Sequence, residues 1–136
     1  MSCKSAIHTV NRNFTAPANG QIPLGSPVRR FGRSMSVDGT GITCCEVGYY
    51  DLESSITLTP EAAGQIGVQF YANGQPVQGA TAQGTGAVGT PLNLSVTALV
   101  RRIPCAAVVI TAQLVTPDGV DTGATVDVIS TVVGKM

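Results

Sequence analysis

Tryptophan is absent from this sequence of 136 residues, and three phenylalanines and three tyrosines are its only other aromatics. Charge is scarce as well. Charged residues make up 12% of the chain, about half the roughly 25% usual in soluble domains. Eight basic residues balance eight acidic ones. That balance leaves no electrostatic footprint for nucleic acid or for an anionic membrane, so neither is expected as a partner. No stretch approaches the roughly 18 consecutive apolar residues of a membrane-spanning helix. The opening MSCKSAIHTVNRNF lacks a basic-then-apolar signal region, which predicts synthesis and folding in a cytoplasm. A chain with so little charge, yet not membrane-like, is expected to cover much of its exterior with copies of itself or with a partner.

The four cysteines, Cys3, Cys44, Cys45 and Cys105, are not spaced as a disulfide framework. Cys44 and Cys45 are adjacent, so strand alternation points them to opposite faces. They read as reduced thiols packed as small apolar groups. A metal site wants ligands in pairs such as C-x-x-C together with histidines, and His8 stands alone. No metal and no cofactor is expected. Catalysis finds no better support. Asp51 and Glu53 lie two apart on a strand's wet face with no visible partner, the usual place for solvated carboxylates. The GTGAVG run (residues 84–89) has the composition of a phosphate loop but neither its lysine nor its helix. The chain reads as a non-enzyme.

Strand patterning is what the sequence has in quantity. In GYYDLESSITL, Tyr50, Leu52, Ser54, Ile56 and Leu58 alternate with Tyr49, Asp51, Glu53, Ser55 and Thr57, giving one buried and one wet face. Ile66, Val68, Phe70 and Ala72 alternate in the next strand, and Asn73-Gly74 supplies a type I′ hairpin turn before Pro76-Val77. Shorter strands fit Ala6–Asn11, Gln21–Leu24, Met35–Val37 and Ile42–Glu46. Later ones begin at Pro91, Cys105 and Ala124. The segment GTGAVGT reads as an exposed, mobile connection. About eight to ten short strands with Gly, Pro and Asn turns and no helical period make an all-β fold, a two-sheet jelly-roll sandwich.

In the final strand the alternation places Val126, Val128 and Val132 on one face, and Ile129 and Val133 on the other. Apolar residues on both sides exceed what one sandwich covers, which predicts a subunit interface. Arginines cluster at Arg29, Arg30 and Arg33 and again at Arg101 and Arg102. Three readings stand: solvated strand ends, pairs across a subunit boundary with Asp51, Glu53 or Glu61, or contact with an acidic partner.

The order GYYDLESSITL, IGVQFYANGQPVQGATAQ, PLNLSVTALV resembles the trimeric jelly-roll head of the tumour-necrosis-factor and complement-head superfamily, over Ile42 to Met136. With MSCKSAIHTVN, IPLGSPVRRFG and LSVTALVRRIPC, the whole chain is similar to small head-fibre or capsid-decoration proteins of tailed phages and prophages of Gram-positive bacteria. That resemblance implies a homotrimer on the outside of a virion, bound to the major capsid protein and without enzymatic activity. The expected trimer interface is Tyr50, Val126, Val128, Ile129 and Val132. The expected partner-binding residues are Ile7, His8, Arg29, Arg30, Arg33, Arg101 and Arg102. Residues 1–15 read as an N-terminal arm or first strand serving as capsid anchor, and residues 16–136 as the jelly roll. With neither a stalk nor a signal peptide, a bare head that docks directly is expected. The alternative is a trimeric receptor-binding head on a phage tail or fibre. Loops 82–90 and 117–123 would then meet a host cell-surface glycan, with Tyr49 and Tyr71 as aromatic platforms.

Overall fold

The computed structural model describes residues 5–17, 20–38, 40–61, 63–102, 107–115 and 123–135. Eleven strands follow one another among these residues: β1 (Ser5–Ala16), β2 (Gln21–Ile22), β3 (Ser26–Phe31), β4 (Met35–Val37), β5 (Ile42–Cys44), β6 (Gly48–Pro60), β7 (Gly64–Ala72), β8 (Gln75–Gly86), β9 (Leu92–Arg102), β10 (Val108–Val115) and β11 (Ala124–Lys135). They form two antiparallel sheets. The first has the order β3-β1-β11-β6-β9; the second has the order β4-β5-β10-β7-β8, with β2 also paired to β10. Every neighbour in the first sheet is non-consecutive, and in the second only β4-β5 and β7-β8 are consecutive, the crossing pattern of a two-sheet jelly roll.

The pleat explains the core. Tyr50, Leu52, Ile56 and Leu58 of β6 meet Ile66, Val68 and Phe70 of β7 and Ile110 and Leu114 of β10 in one buried cluster. Asn73 and Gly74 adopt φ of 52° and 79°, as a type I′ turn requires. Asn73 does more than turn: its Nδ2 donates to the Ala107 carbonyl at 2.9 Å, and its Oδ1 accepts from the Val109 N–H at 2.8 Å. The hairpin tip is thereby tied to the strand beside it.

Three segments depart from the sequence reading. Gly84, Thr85 and Gly86 are not a loose connection but the end of β8, paired with Ile66, Gln65 and Gly64. A Cβ on Gly86 would come within 2.5 Å of the Pro60 ring, so glycine here marks close approach of strands. The residues expected as an arm or first strand are, from Ser5 onward, hydrogen-bonded into the sheet between β3 and β11. Third, β11 carries a bulge between Val126 and Val128. The extra residue, Asp127, accepts a hydrogen bond from Thr59 Oγ1 at 2.8 Å and reverses the alternation beyond it. Val126, Ile129, Thr131 and Val133 therefore all face the core, whereas Val128, Ser130 and Val132 face outward.

A second irregularity lies in β8. Between the pairs Gln69↔Thr81 and Tyr71↔Pro76, β8 has four residues, Val77 to Ala80, where β7 has only Phe70. Gln69 Nε2 fills the gap, donating to the carbonyls of Phe70, Val77 and Ala80 at 2.8, 3.0 and 3.3 Å.

Within the core a row of hydroxyls crosses three strands: Thr9 on β1, Thr131 on β11 and Ser54 on β6. Ser54 Oγ donates to the Ser130 carbonyl at 3.2 Å and lies 3.1 Å from Thr131 Oγ1. Thr9 Oγ1 is buried with no partner. Replacing it by the isosteric methyl in Thr9→Val is expected to stabilise the fold by about 1 kcal/mol, read as a higher urea midpoint at unchanged slope. For the bulge, Asp127→Ala keeps the residue count and is expected to cost about 1 kcal/mol. Deleting Asp127 leaves Val126 and Val128 on the consecutive β6 partners Leu58 and Thr57, with the same side chains facing the core. The shortened chain is therefore expected to keep a cooperative thermal transition, and loss of that transition would contradict this reading of the bulge.

Candidate self-association surface

The outward face of the first sheet is built in rows, each residue beside its cross-strand neighbour. One row runs Phe31, Ala6, Gly134, Asp51, Leu99 from the β3 edge to the β9 edge. The adjacent row runs Arg29, His8, Val132, Glu53, Thr97. Large apolar side chains thus stand at both ends of a row whose middle is small. Phe31 is 60% exposed and Leu99 57%, unusual for side chains of that size on a sheet with no neighbour over it. At the β3 edge Ala6, His8, Phe31 and Val132 enclose an apolar hollow of about 120 Å³ bordered by Arg29 and Arg30. Toward β9, a shallower hollow of about 300 Å³ is floored by Ser55, Ser95 and Ser130, with Glu53 on its rim. His8 Nε2 lies 2.6 Å from Ser130 Oγ and links the two.

This arrangement is complementary to itself. One edge offers an apolar hollow flanked by arginines. The other offers Leu99 on β9 directly across from Asp51 of β6, with Glu53 one pleat away and Arg101 two residues along β9 on the other side. A second copy presenting its β9 edge to the β3 edge of the first puts leucine in the hollow and carboxylates against guanidinium groups. Such a head-to-tail contact closes into a ring when the rotation is a whole fraction of a turn.

The expected site residues divide on burial. Tyr50, Val126 and Ile129 are completely buried in their own core, so the outward face offers none of them to a neighbouring copy, whereas Ile7, 1% exposed, is among the residues lining the β3-edge hollow. For Val126 and Ile129 the cause is the bulge at Asp127. Tyr50 is an inward residue of β6, its hydroxyl donating to the Glu46 carbonyl at 2.7 Å, and Ile7 is an inward residue of β1. Val128 and Val132 lie on the outward face, half-buried and 37% exposed. His8, Arg29 and Arg30 gather at the hollow, while Arg33 is exposed on the bend after β3. Arg101 stacks over the Tyr49 ring with 5.8 Å to its centroid, at the same edge as Leu99. Arg102 is half-buried beside it. Ala6, Phe31 and Leu99 join this surface without being among the residues the sequence reading singles out. Leu99 carried a legible signal, a leucine on a strand face otherwise made of Asn93, Ser95, Thr97 and Arg101.

Asp51 and Glu53 are exposed, and among the described residues no three His, Cys, Asp or Glu side chains converge as metal ligands would. Cys44 is buried and Cys45 exposed.

No family model matches the chain, and no curated protein matches it. Solved structures do. The globular domain of zebrafish complement 1qA superposes with a TM-score of 0.73 at 12% identity, over 98% of this chain and 97% of that one. Its fold is that of a complement head. Eiger TNF from S. frugiperda superposes at 0.69 with 8% identity, over 98% and 91%. The vertex protein P5 of phage PRD1 does so at 0.61 with 14% identity, over 96% and 95%. The jelly roll of the tumour-necrosis-factor and complement heads therefore accounts for the chain nearly end to end, and at these identities the likeness concerns fold alone.

Burial, and after it the neighbouring Cys45, pushes the Cys44 thiol up to about 12, against a weaker opposing pull from Arg102. Near pH 8 Cys44 is therefore fully protonated and unreactive. Alkylation of the folded protein followed by peptide mass mapping is expected to modify Cys45 and to reach Cys44 only after unfolding. Rapid labelling of both would contradict this burial.

Proposed function

We propose that this protein is a non-enzymatic structural component of a phage particle, a homotrimer attached to the outside of the capsid through the major capsid protein. The observation that carries self-association is the pair of complementary edges on one sheet face, Phe31 and Arg29 at one side and Leu99 and Glu53 at the other. An isolated subunit would leave these apolar side chains in water and two sheet edges open, a costly state for any sheet. The number three and the virion setting rest on the fold. A trimeric head is what the sequence resemblance implies, and a phage vertex protein shares the architecture over nearly all of both chains. Val128 and Val132, facing outward, add apolar area to the same contact.

Sedimentation equilibrium is expected to give three times the chain mass, and Leu99→Asp is expected to give one. A wild-type monomer at micromolar concentration would remove the basis of this reading. Arg29→Glu is expected to weaken assembly about tenfold, and the same chain carrying Glu53→Arg as well is expected to recover much of that loss. For the capsid, the purified trimer is expected to pellet with undecorated shells and not with decorated ones. A trimer that leaves undecorated shells bare would refute decoration while leaving self-association intact.

A further inference from the structure

The two sheets differ completely in charge. The five strands of the first sheet hold nine charged residues and His8, whereas the six strands of the second contain no Asp, Glu, Lys, Arg or His. Around β7 and β8 the neutrality extends without interruption from Glu61 to Arg101. Its outward face is not blank, however. Gln21, Gln113, Gln69 and Thr81 stand side by side across β2, β10, β7 and β8, in register. Strands about 4.8 Å apart turn these side chains into a track of neutral donors and acceptors across the sheet. Tyr71, half-buried, lies on the same face beside Thr111.

From this composition we infer that the outward face of the uncharged sheet binds a neutral oligosaccharide. An ionic ligand would lose its water with no opposite charge to replace it. A protein partner would find no large exposed apolar side chain to anchor a hot spot, since the half-buried Val109, Val115 and Tyr71 are the largest apolar surfaces on these rows. Hydroxyl-rich, uncharged chains match what remains. Each amide both donates and accepts, as each sugar hydroxyl does, and the Tyr71 ring offers an apolar surface with a polar tip for the C–H face of a pyranose. Gln69 is held in advance, its Nε2 spent on three carbonyls of the β8 bulge, which leaves its Oε1 as a fixed acceptor. In the assembly proposed above this face stays available, because the contact uses the opposite side of the sandwich.

The test is retention of the full-length protein on immobilised neutral polysaccharides (dextran, mannan and chitooligosaccharide) beside heparin and an unrelated protein as charged and proteinaceous probes. Binding to at least one neutral probe is expected. Its strength should stay within about twofold as salt rises from about 0.05 M to about 0.5 M, because no ion pair is screened. Gln113→Ala is expected to weaken it about tenfold, the equivalent of one hydrogen-bonded amide, with the melting temperature and subunit number unchanged. Thr111→Lys, which places a charge beside Tyr71, is expected to abolish it. No retention on any neutral probe overturns the inference, as does salt-sensitive retention on heparin, preference for the protein probe, or binding that survives both substitutions. Because subunit number is read in the same samples, failure here is distinct from failure of the trimer.

Discussion

Asp127 is one residue more than β11 needs to pair with β6, and most of what is distinctive in this molecule follows from where that residue goes. Held by Thr59, it bulges out of the ladder and reverses the pleat for the rest of the strand. Two consecutive stretches of β11 that would otherwise face opposite ways then deliver Val126, Ile129 and Val133 to the same core. The bulge converts a strand greasy on two sides into one that is greasy mainly inside. The residues left outside, Val128, Ser130 and Val132, are smaller and more mixed. Apolar surface on the outward face is accordingly carried by the rims of the sheet rather than by its centre.

That redistribution suits a head-to-tail contact better than a flat greasy one. Ala6 and Gly134 keep the middle of the row low, so that a neighbour's edge can come close, and Phe31 and Leu99 mark its ends. Charge is less one-sided: arginines stand at both edges, Arg29 and Arg30 on β3 and Arg101 and Arg102 on β9, and the carboxylates Asp51 and Glu53 lie on β6, one strand in from β9. Charged groups concentrated on the contact side favour one partner and one orientation through their pairing. The uncharged sheet has no such preference to express, and its amides and hydroxyls interact at short range only.

Much of this architecture was legible in the residues. The alternation of β6 and the Asn73-Gly74 turn each state their structure locally, because the signal and the cause are the same few side chains. Where the cause is distant, the sequence is mute. Strand β3 reads as a basic patch, SPVRRF, since all six of its residues are exposed and no alternation can register; it is a strand because β1 pairs with it. Similarly, Gly84 and Gly86 look loose until Leu92 is seen against the first and Pro60 and Ile66 against the second. The valines of β11 misled for a third reason. A bulge is a break in periodicity, and counting by twos assumes there is none. The surface itself was half visible: the arginines stand out in composition, but Phe31 and Leu99 belong to strands that are neighbours of nothing on one side, a fact only topology supplies.

The wide bulge of β8 has a bearing on how such molecules behave in a crowd. An uncharged edge strand rich in Gln and Thr is the kind of ribbon that templates fibrils when it lies flat. Here four residues opposite one, Pro76 at the near end, and the Gln69 amide locked into the gap bend the ribbon out of plane. An edge so shaped is a poor template for the edge of another copy, and backbone shape here takes the part that lysines play on other edge strands.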